Sequence, residues 1–276
     1  MNNLIKLAGM VVLGTGVAQA TTIPATISTT LTIMTDSHLT GNVLCMVTGA
    51  PCIKFGAKDI TLKLNGFIMT GNGGQTSCTS NISENGIDTN FKNNVSIFGP
   101  GLVRRFNGTG IVVSGNNSMV EGIAMRSSCG PAIEVVGSDN EIEGNSIGRA
   151  ALPTIGPAAA IFVGNPGGRN RILNNEIVGA SSSGIGVVGS NNNLIDGNNA
   201  SGNSFDGIRF FSGSTRNTVR HNQALGNFSD IVDDNALGAN DYDNNLCEVS
   251  AIGPSSVNIC KLPNIAGHQN GPVDRN

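Results

Sequence analysis

The sequence predicts an all-β chain wound as a single-stranded, right-handed parallel β-helix with capped ends, and three observations predict it. The first is a repeated apolar strand preceded by a small or turn residue: GTGIVVSG, GPAIEVVG, AAAIFVGN, SSGIGVVG, FDGIRFFS and FSDIVDDN. Its leading isoleucines, Ile111, Ile133, Ile161, Ile185, Ile208 and Ile231, are spaced by 22, 28, 24, 23 and 23 residues. The second is another segment holding the same phase: NEIEGNSI from Asn140, NRILNNEI from Asn170, NLIDGNNA from Asn193 and NTVRHNQA from Asn217. The third is composition: of 276 residues 13% are charged and 4% aromatic, with 38 Gly, 1 Tyr and no Trp. Gly and Asn are poor helix formers, which excludes bundles and coiled coils. A hydrophobic fraction of 39% is too high for simple disorder.

Strands this short bury their apolar faces only by stacking coil on coil. Stacked strands pair at about 4.8 Å from rung to rung. Leucine-rich repeats have a similar period but need a leucine framework that these rungs lack, and propeller blades need roughly 40 residues or more. Asparagine fits the rungs because it tolerates left-handed turns and its amide bonds to the same amide one coil away. Asn145, Asn175, Asn198 and Asn222 are the predicted ladder, with Gly122 as the departure in the preceding rung, and Ile142, Ile172, Ile195 and Val219 are the predicted interior.

The elements follow in chain order. Residues 1–20 combine Lys6, an apolar stretch from Leu7 to Val17 and small residues at Ala18 and Ala20, the layout of a cleaved secretory signal. Residues 21–57 read as an N-terminal edge and first coils, 58–234 as the β-helix repeats, 235–262 as a C-terminal cap and 263–276 as a tail. No segment offers 18 consecutive apolar residues, so no membrane span is expected and the protein reads as secreted or periplasmic. Cys45, Cys52, Cys78, Cys129, Cys247 and Cys260 are an even set that suits disulfides in an exported chain. Closeness favours Cys45 with Cys52 and Cys247 with Cys260, leaving Cys78 for Cys129, although six cysteines leave the connectivity open.

The LNGFIMTG segment near Leu64, the GPGLVRRF segment from Gly99 and the GI-x-V and N-x-I-x-x-N rungs resemble secreted right-handed parallel β-helix repeat proteins of the pectin-lyase-like superfamily. The resemblance runs from about residue 40 to 260. It implies the fold, and it leaves activity open because that group contains lyases, hydrolases, epimerases, phage spikes, adhesins and copper-delivery proteins. Its polygalacturonase-like members use a Gly-His-Gly and an Arg-x-Lys segment. Neither occurs here, so no catalytic residue is carried over.

The candidate site is a lateral stripe. Superposed on Asn117, Asn140, Asn170, Asn193 and Asn217, the fourth position reads Val120, Glu143, Leu173, Asp196 and Arg220, and the fifth reads Glu121, Gly144, Asn174, Gly197 and His221. Glu121, Glu143, Asn174, Asp196 and Arg220 form the expected polymer-binding face, with Glu143, Asp196, Arg220 and His221 as candidate catalytic residues. Asp196 and Arg220 fall on neighbouring rungs, about 5 Å apart, and Glu143 and Asp196 two rungs apart, about 10 Å, near the carboxyl spacing of inverting glycosidases. The same spacing also describes a solvated face with a weak ion pair. The long interval between Ile133 and Ile161 places an extra loop at 149–159, and any cleft is expected beside that loop and the stripe together.

Other partners are narrowed by the residues present. A net charge of −3 gives no footprint for nucleic acid. No metal site is predicted, since His38, His221 and His268 are scattered and no CxxC occurs. Calcium is the one cofactor left open, on Asp230, Asp233, Asp234, Asp241 and Asp243; Leu246 and Ile252 exclude an EF-hand there. The expected function is recognition of an extended polymer, a polysaccharide, on the lateral face. The alternatives are a non-catalytic structural or adhesin-like solenoid and a polysaccharide lyase or glycoside hydrolase.

Overall fold

The structure, a computed structural model, describes residues 21–73, 78, 83–150, 159–248, 250–252 and 259–261. The expected signal peptide, most of the 149–159 loop and the expected tail lie outside them. Each coil contributes a strand to each of three parallel sheets, forming a right-handed parallel β-helix. Sheet I holds ten strands, from Thr21–Ile23 to Asp241–Asp243. Sheet II holds seven, from Thr26–Ile27 to Glu176–Val178, and resumes after single bridges at Asn199 as Gln223–Ala224, Asn245–Cys247 and Cys260–Lys261. Sheet III holds ten, from Leu31–Ile33 to Ser250–Ile252. Among the described residues there is no helix.

Side chains alternate across a strand, so a three-residue strand has either its centre or its two flanks inside. In the middle coils of sheets I and II the centre is inside: Ile142, Ile172, Ile195 and Val219 on sheet I are fully buried, as are Val103 and Met125 on sheet II, whereas Ser37–Leu39 and Val43–Cys45 of the early coils bury their flanks. Sheet III buries its flanks instead, and its leading isoleucines stack in register from Ile111 through Ile133, Ile161, Ile185 and Ile208 to Ile231. Burying each such side chain contributes roughly 1.5 to 3 kcal/mol relative to leaving it in water.

The corners between sheets carry the asparagines. Asn145, Asn175, Asn198 and Asn222 form the expected ladder, each backbone N donating to the Oδ1 of the next at 3.0, 2.9 and 2.9 Å, and Asn245 extends it at 3.1 Å. Where sheet I begins, a second ladder runs through Asn140, Asn170, Asn193, Asn217 and Asn240. These asparagines mark the repeat in the sequence, but their stacking was not expected. Buried amides that satisfy one another in this way tie each coil to the next at little desolvation cost, with Asn140 Nδ2, at the start of the second ladder, the one ladder amide nitrogen left without a partner among the described residues.

The structure corrects the expected phase at one rung. Ser118, not Asn117, takes the second-ladder position: its N donates to Asn140 Oδ1 at 2.8 Å, while Asn117 turns the preceding corner at φ 53°. Every later residue of that rung therefore moves by one. Val120 lies inside against Ile142, Glu121 stands beside Glu143, and Ile123 rather than Gly122 precedes Asn145, donating to its Oδ1 at 3.0 Å. The disulfides Cys45–Cys52, Cys78–Cys129 and Cys247–Cys260 are those that closeness favours.

Candidate functional site

The stripe is assembled, in two adjacent columns. Glu121, Glu143, Leu173, Asp196, Arg220 and Asp243 follow one another across sheet I in strand register. The next position is a corner of left-handed backbone, occupied by Gly122, Gly144, Asn174, Gly197, His221 and Asn244, all with φ between 51° and 69°. His221 at φ 53° adopts the same backbone as its asparagine and glycine equivalents, and its ring meets Asp196 on the sheet. There Nδ1 lies 3.0 Å from Asp196 Oδ1, while Arg220 Nε donates to Oδ2 at 2.9 Å. Burial desolvates Asp196 and pushes its pKa up, but the hydrogen bonds from His221 and Arg220 outweigh this and hold it below the usual carboxylate range. Glu143 stands two rungs away behind the buried Leu173 and accepts from Asn174 Nδ2 at 3.3 Å. The stripe is thus largely a chain of internal partners.

The acidic run of the last coils is divided among several places. Asp233 points inside and accepts from Tyr242 Oη (2.7 Å), Asn240 Nδ2 (2.9 Å) and Asn235 Nδ2 (2.7 Å). Burial and that bond push the Tyr242 hydroxyl far above its ordinary pKa. Asp230 is also buried, Asp234 faces out on sheet III against Arg209 at 3.0 Å, and Asp241 and Asp243 lie on sheet I. The reason is the two-residue alternation of strands, which sends Asp233 and Asp234 to opposite sides. Among the described residues no three carboxylate, histidine or cysteine groups gather as a metal site would require.

A concave surface lies on sheet II, away from the stripe. A cleft of about 560 Å³ spans four successive rungs and is lined by Arg104, Arg105, Arg126, Arg149, Glu176 and Val178 together with Leu102, Ser127, Ser146, Ile147 and Gly148. Arg104 and Arg126 are register partners in one column, continued by Gly148 and Val178. Arg105, Ser127 and Arg149 occupy the left-handed corner that follows, at φ 61°, 57° and 52°. Gly148 lets Arg126 lie across its rung, since a Cβ there would come within 2.9 Å of Arg126 Nη1. Arg104 Nε donates to Thr70 Oγ1 at 3.2 Å and Arg105 Nε to the Gly73 carbonyl at 3.0 Å, which fixes both side chains by their inner nitrogen.

The model of the family described as right handed beta helix region matches residues 65–246. The chain belongs to that family. No curated protein matches its sequence. Among solved structures, XylC in complex with xylose aligns with a TM-score of 0.57 at 14% identity, covering 71% of this chain and 38% of XylC. Tailspike protein 2 of bacteriophage CBA120 aligns at 0.58 and 11%, covering 84% of this chain and 38% of the tailspike. The tailspike of E. coli bacteriophage HK620 bound to a hexasaccharide aligns at 0.57 and 11%, covering 88% and 57% respectively. At such identities the likeness establishes the fold, and this chain spans well under two thirds of each of these proteins.

The cleft arginines were absent from the sequence-based candidates. Their signal was present: Arg104 and Arg126 are 22 residues apart, one coil, as are Arg105 and Ser127. It went unread because the superposition began at Asn117, one coil after the first arginines, and followed only sheet I. The expected location beside residues 149–159 meets the cleft at Arg149, and residues 151–158 lie outside the described ones. No helix among the described residues is long and apolar enough to cross a membrane.

Proposed function

We propose that this protein is an exported recognition module that binds an extended polysaccharide along the lateral face of its β-helix, in the sheet II cleft. The observation that carries the reading is the shape and composition of that cleft. It runs across four rungs, about 14 Å along the axis at the strand spacing, and it presents polar hydrogen-bonding groups beside the apolar Leu102 and Val178. That combination suits sugar rings, which offer apolar faces and hydroxyl edges. XylC and the HK620 tailspike, which share the fold, are described with xylose and a hexasaccharide bound. Export agrees with the three disulfides, which persist in oxidising compartments.

Recognition rather than cleavage is proposed because the cleft presents one carboxylate, Glu176. Glycoside hydrolysis in its common form uses two. The stripe contributes stability instead, since Asp196 is held by both Arg220 and His221. The test is affinity electrophoresis of the oxidised protein through gels containing a panel of polysaccharides, with the eluted polymer assayed for new reducing or unsaturated ends. The expected result is retardation by at least one polymer without new chain ends. Mobility unchanged on every polymer would overturn the reading.

A further inference from the structure

We infer that the ligand of the sheet II cleft is a polyanionic glycan, one bearing carboxylate, sulfate or phosphate groups on nearby sugars. The inference rests on the binding reading above and adds its chemistry. The first ground is a contrast in pairing. Arg169, Arg171, Arg209 and Arg220 each meet a carboxylate within 3.2 Å. Among the described residues Arg104, Arg105, Arg126 and Arg149 meet none, although Glu176 lines the same cleft. A protein with a net charge of −3 gathers four of its 16 cationic side chains here, with Glu176 as the one carboxylate of the cleft lining and no ion pair to it among the described residues.

The second ground is cost. In-register stacking sets Arg104 and Arg126 on neighbouring rungs, and their side chains splay apart as like charges do, Arg104 onto Thr70 of the preceding rung and Arg126 across Gly148 of the following one. Arg105 and Arg149 also sit at φ 61° and 52°, a conformation disfavoured for a side chain with a Cβ. The same corner in the following rungs is glycine, at Gly179, Gly202 and Gly226. Glycine would hold this corner without that strain, so the two arginines sit there at a cost to folding.

The third ground is geometry. The anchored Nε atoms of Arg104 and Arg105 leave their outer nitrogens as a planar fork, the shape that engages an oxyanion through two parallel bonds. No lysine lines the cleft. The cations extend over three rungs, about 10 Å, so one small anion would use only part of them. A chain parallel to the axis, with acidic groups recurring at the rung spacing, would use all. Glu176, on the fourth rung, repels an acidic group and faces the uncharged end of the bound segment.

The test is titration calorimetry of the oxidised protein with a polyuronate, the same polyuronate with its carboxyls methyl-esterified, a sulfated glucan, a phosphodiester-linked glycan and a neutral glucan. At least one acidic polymer should bind ten-fold or more tighter than the esterified and neutral polymers, and which acidic polymer binds identifies the oxyanion. Its affinity should fall with added salt. R126A and R149A should each weaken it about ten-fold, R126K less than R126A, and E176Q should strengthen it about two-fold, all with unchanged melting temperature because these side chains lie at the surface. Equal binding of neutral, esterified and acidic polymers would overturn the inference and leave polysaccharide recognition standing. Absence of binding to every polymer would overturn both.

Discussion

On sheet I, Arg220 meets Asp196, Arg171 meets Glu141 and Arg169 meets Asp139, each pair joining neighbouring rungs; on sheet II, Arg104, Arg105, Arg126 and Arg149 stand together with Glu176 as the one carboxylate of their cleft. Both faces obey the same geometry, in which a parallel solenoid sets equivalent residues about 5 Å apart. The outcome depends on whether sign alternates or repeats along the column. Asp196, Arg220 and Asp243 alternate, so stacking neutralises them, and Glu121 beside Glu143 is the one repeat of sign between neighbours in that column. The arginines repeat, so stacking concentrates positive charge on that face. In a repeat protein, the regions where in-register charges are left unresolved are the ones to examine for binding.

The largest effect expected from breaking this comparison lies beneath it. Asn198 follows the stripe in its rung, receives Asn175 N and Nδ2 at 2.9 and 3.0 Å, and donates to the Ile172 carbonyl at 2.8 Å. Asn198→Ala leaves several buried groups without partners and should cost about 3 kcal/mol in urea unfolding. Polymer affinity of the fraction still folded should be unchanged. A loss below about 1 kcal/mol would show that the ladder is not what holds the stripe.

A smaller effect belongs to the stripe itself. Because the folded-state pKa of Asp196 is depressed below its ordinary 3.8, its pairing stabilises the protein above that value, and the contribution is lost as pH falls through the depressed pKa. Asp196→Ala should therefore lower stability by up to about 1 kcal/mol at neutral pH. The difference from the unmodified protein should shrink on acidification below about pH 4. Thermal melts across pH 2 to 7 check this, and glycan affinity should stay within about two-fold. A ten-fold loss of affinity in this variant would move the binding face to sheet I.

The smallest effect sharpens the cleft. In Gly148→Ala the new methyl would press on Arg126 Nη1, the mobile end of a long side chain, so the guanidinium shifts while the fold remains. Binding of the acidic polymer should weaken about two- to three-fold, with stability within about 0.5 kcal/mol of the unmodified protein. Unchanged affinity would show that Arg126 engages its ligand through the solvent side alone.

The repeat, the interior column, one asparagine ladder and the two short-range disulfides were legible because each is a local rule: apolar residues at alternate positions, Asn or Gly at each corner, Cys45 near Cys52 and Cys247 near Cys260 in the chain. Ile142, Ile172, Ile195 and Val219 could be placed inside without coordinates for that reason. The one-residue error at Asn117 shows where this ends. Asn117 and Asn140 look equivalent as letters, yet the ladder position goes to Ser118 because its backbone N aligns with the Asn140 carboxamide.

Amino-acid order alone determined that this chain stacks coil upon coil, since short apolar strands at that spacing have no other way to leave water. It also named Asp196, Arg220 and His221 as neighbours. What only the tertiary structure decided is which charged face is satisfied and which is open. Whether Arg220 pairs and Arg126 does not depends on which sheet each rung faces and on the exact register between coils. A one-residue shift turns a side chain from the surface to the interior, and that register is settled by backbone and ladder hydrogen bonds across many coils at once.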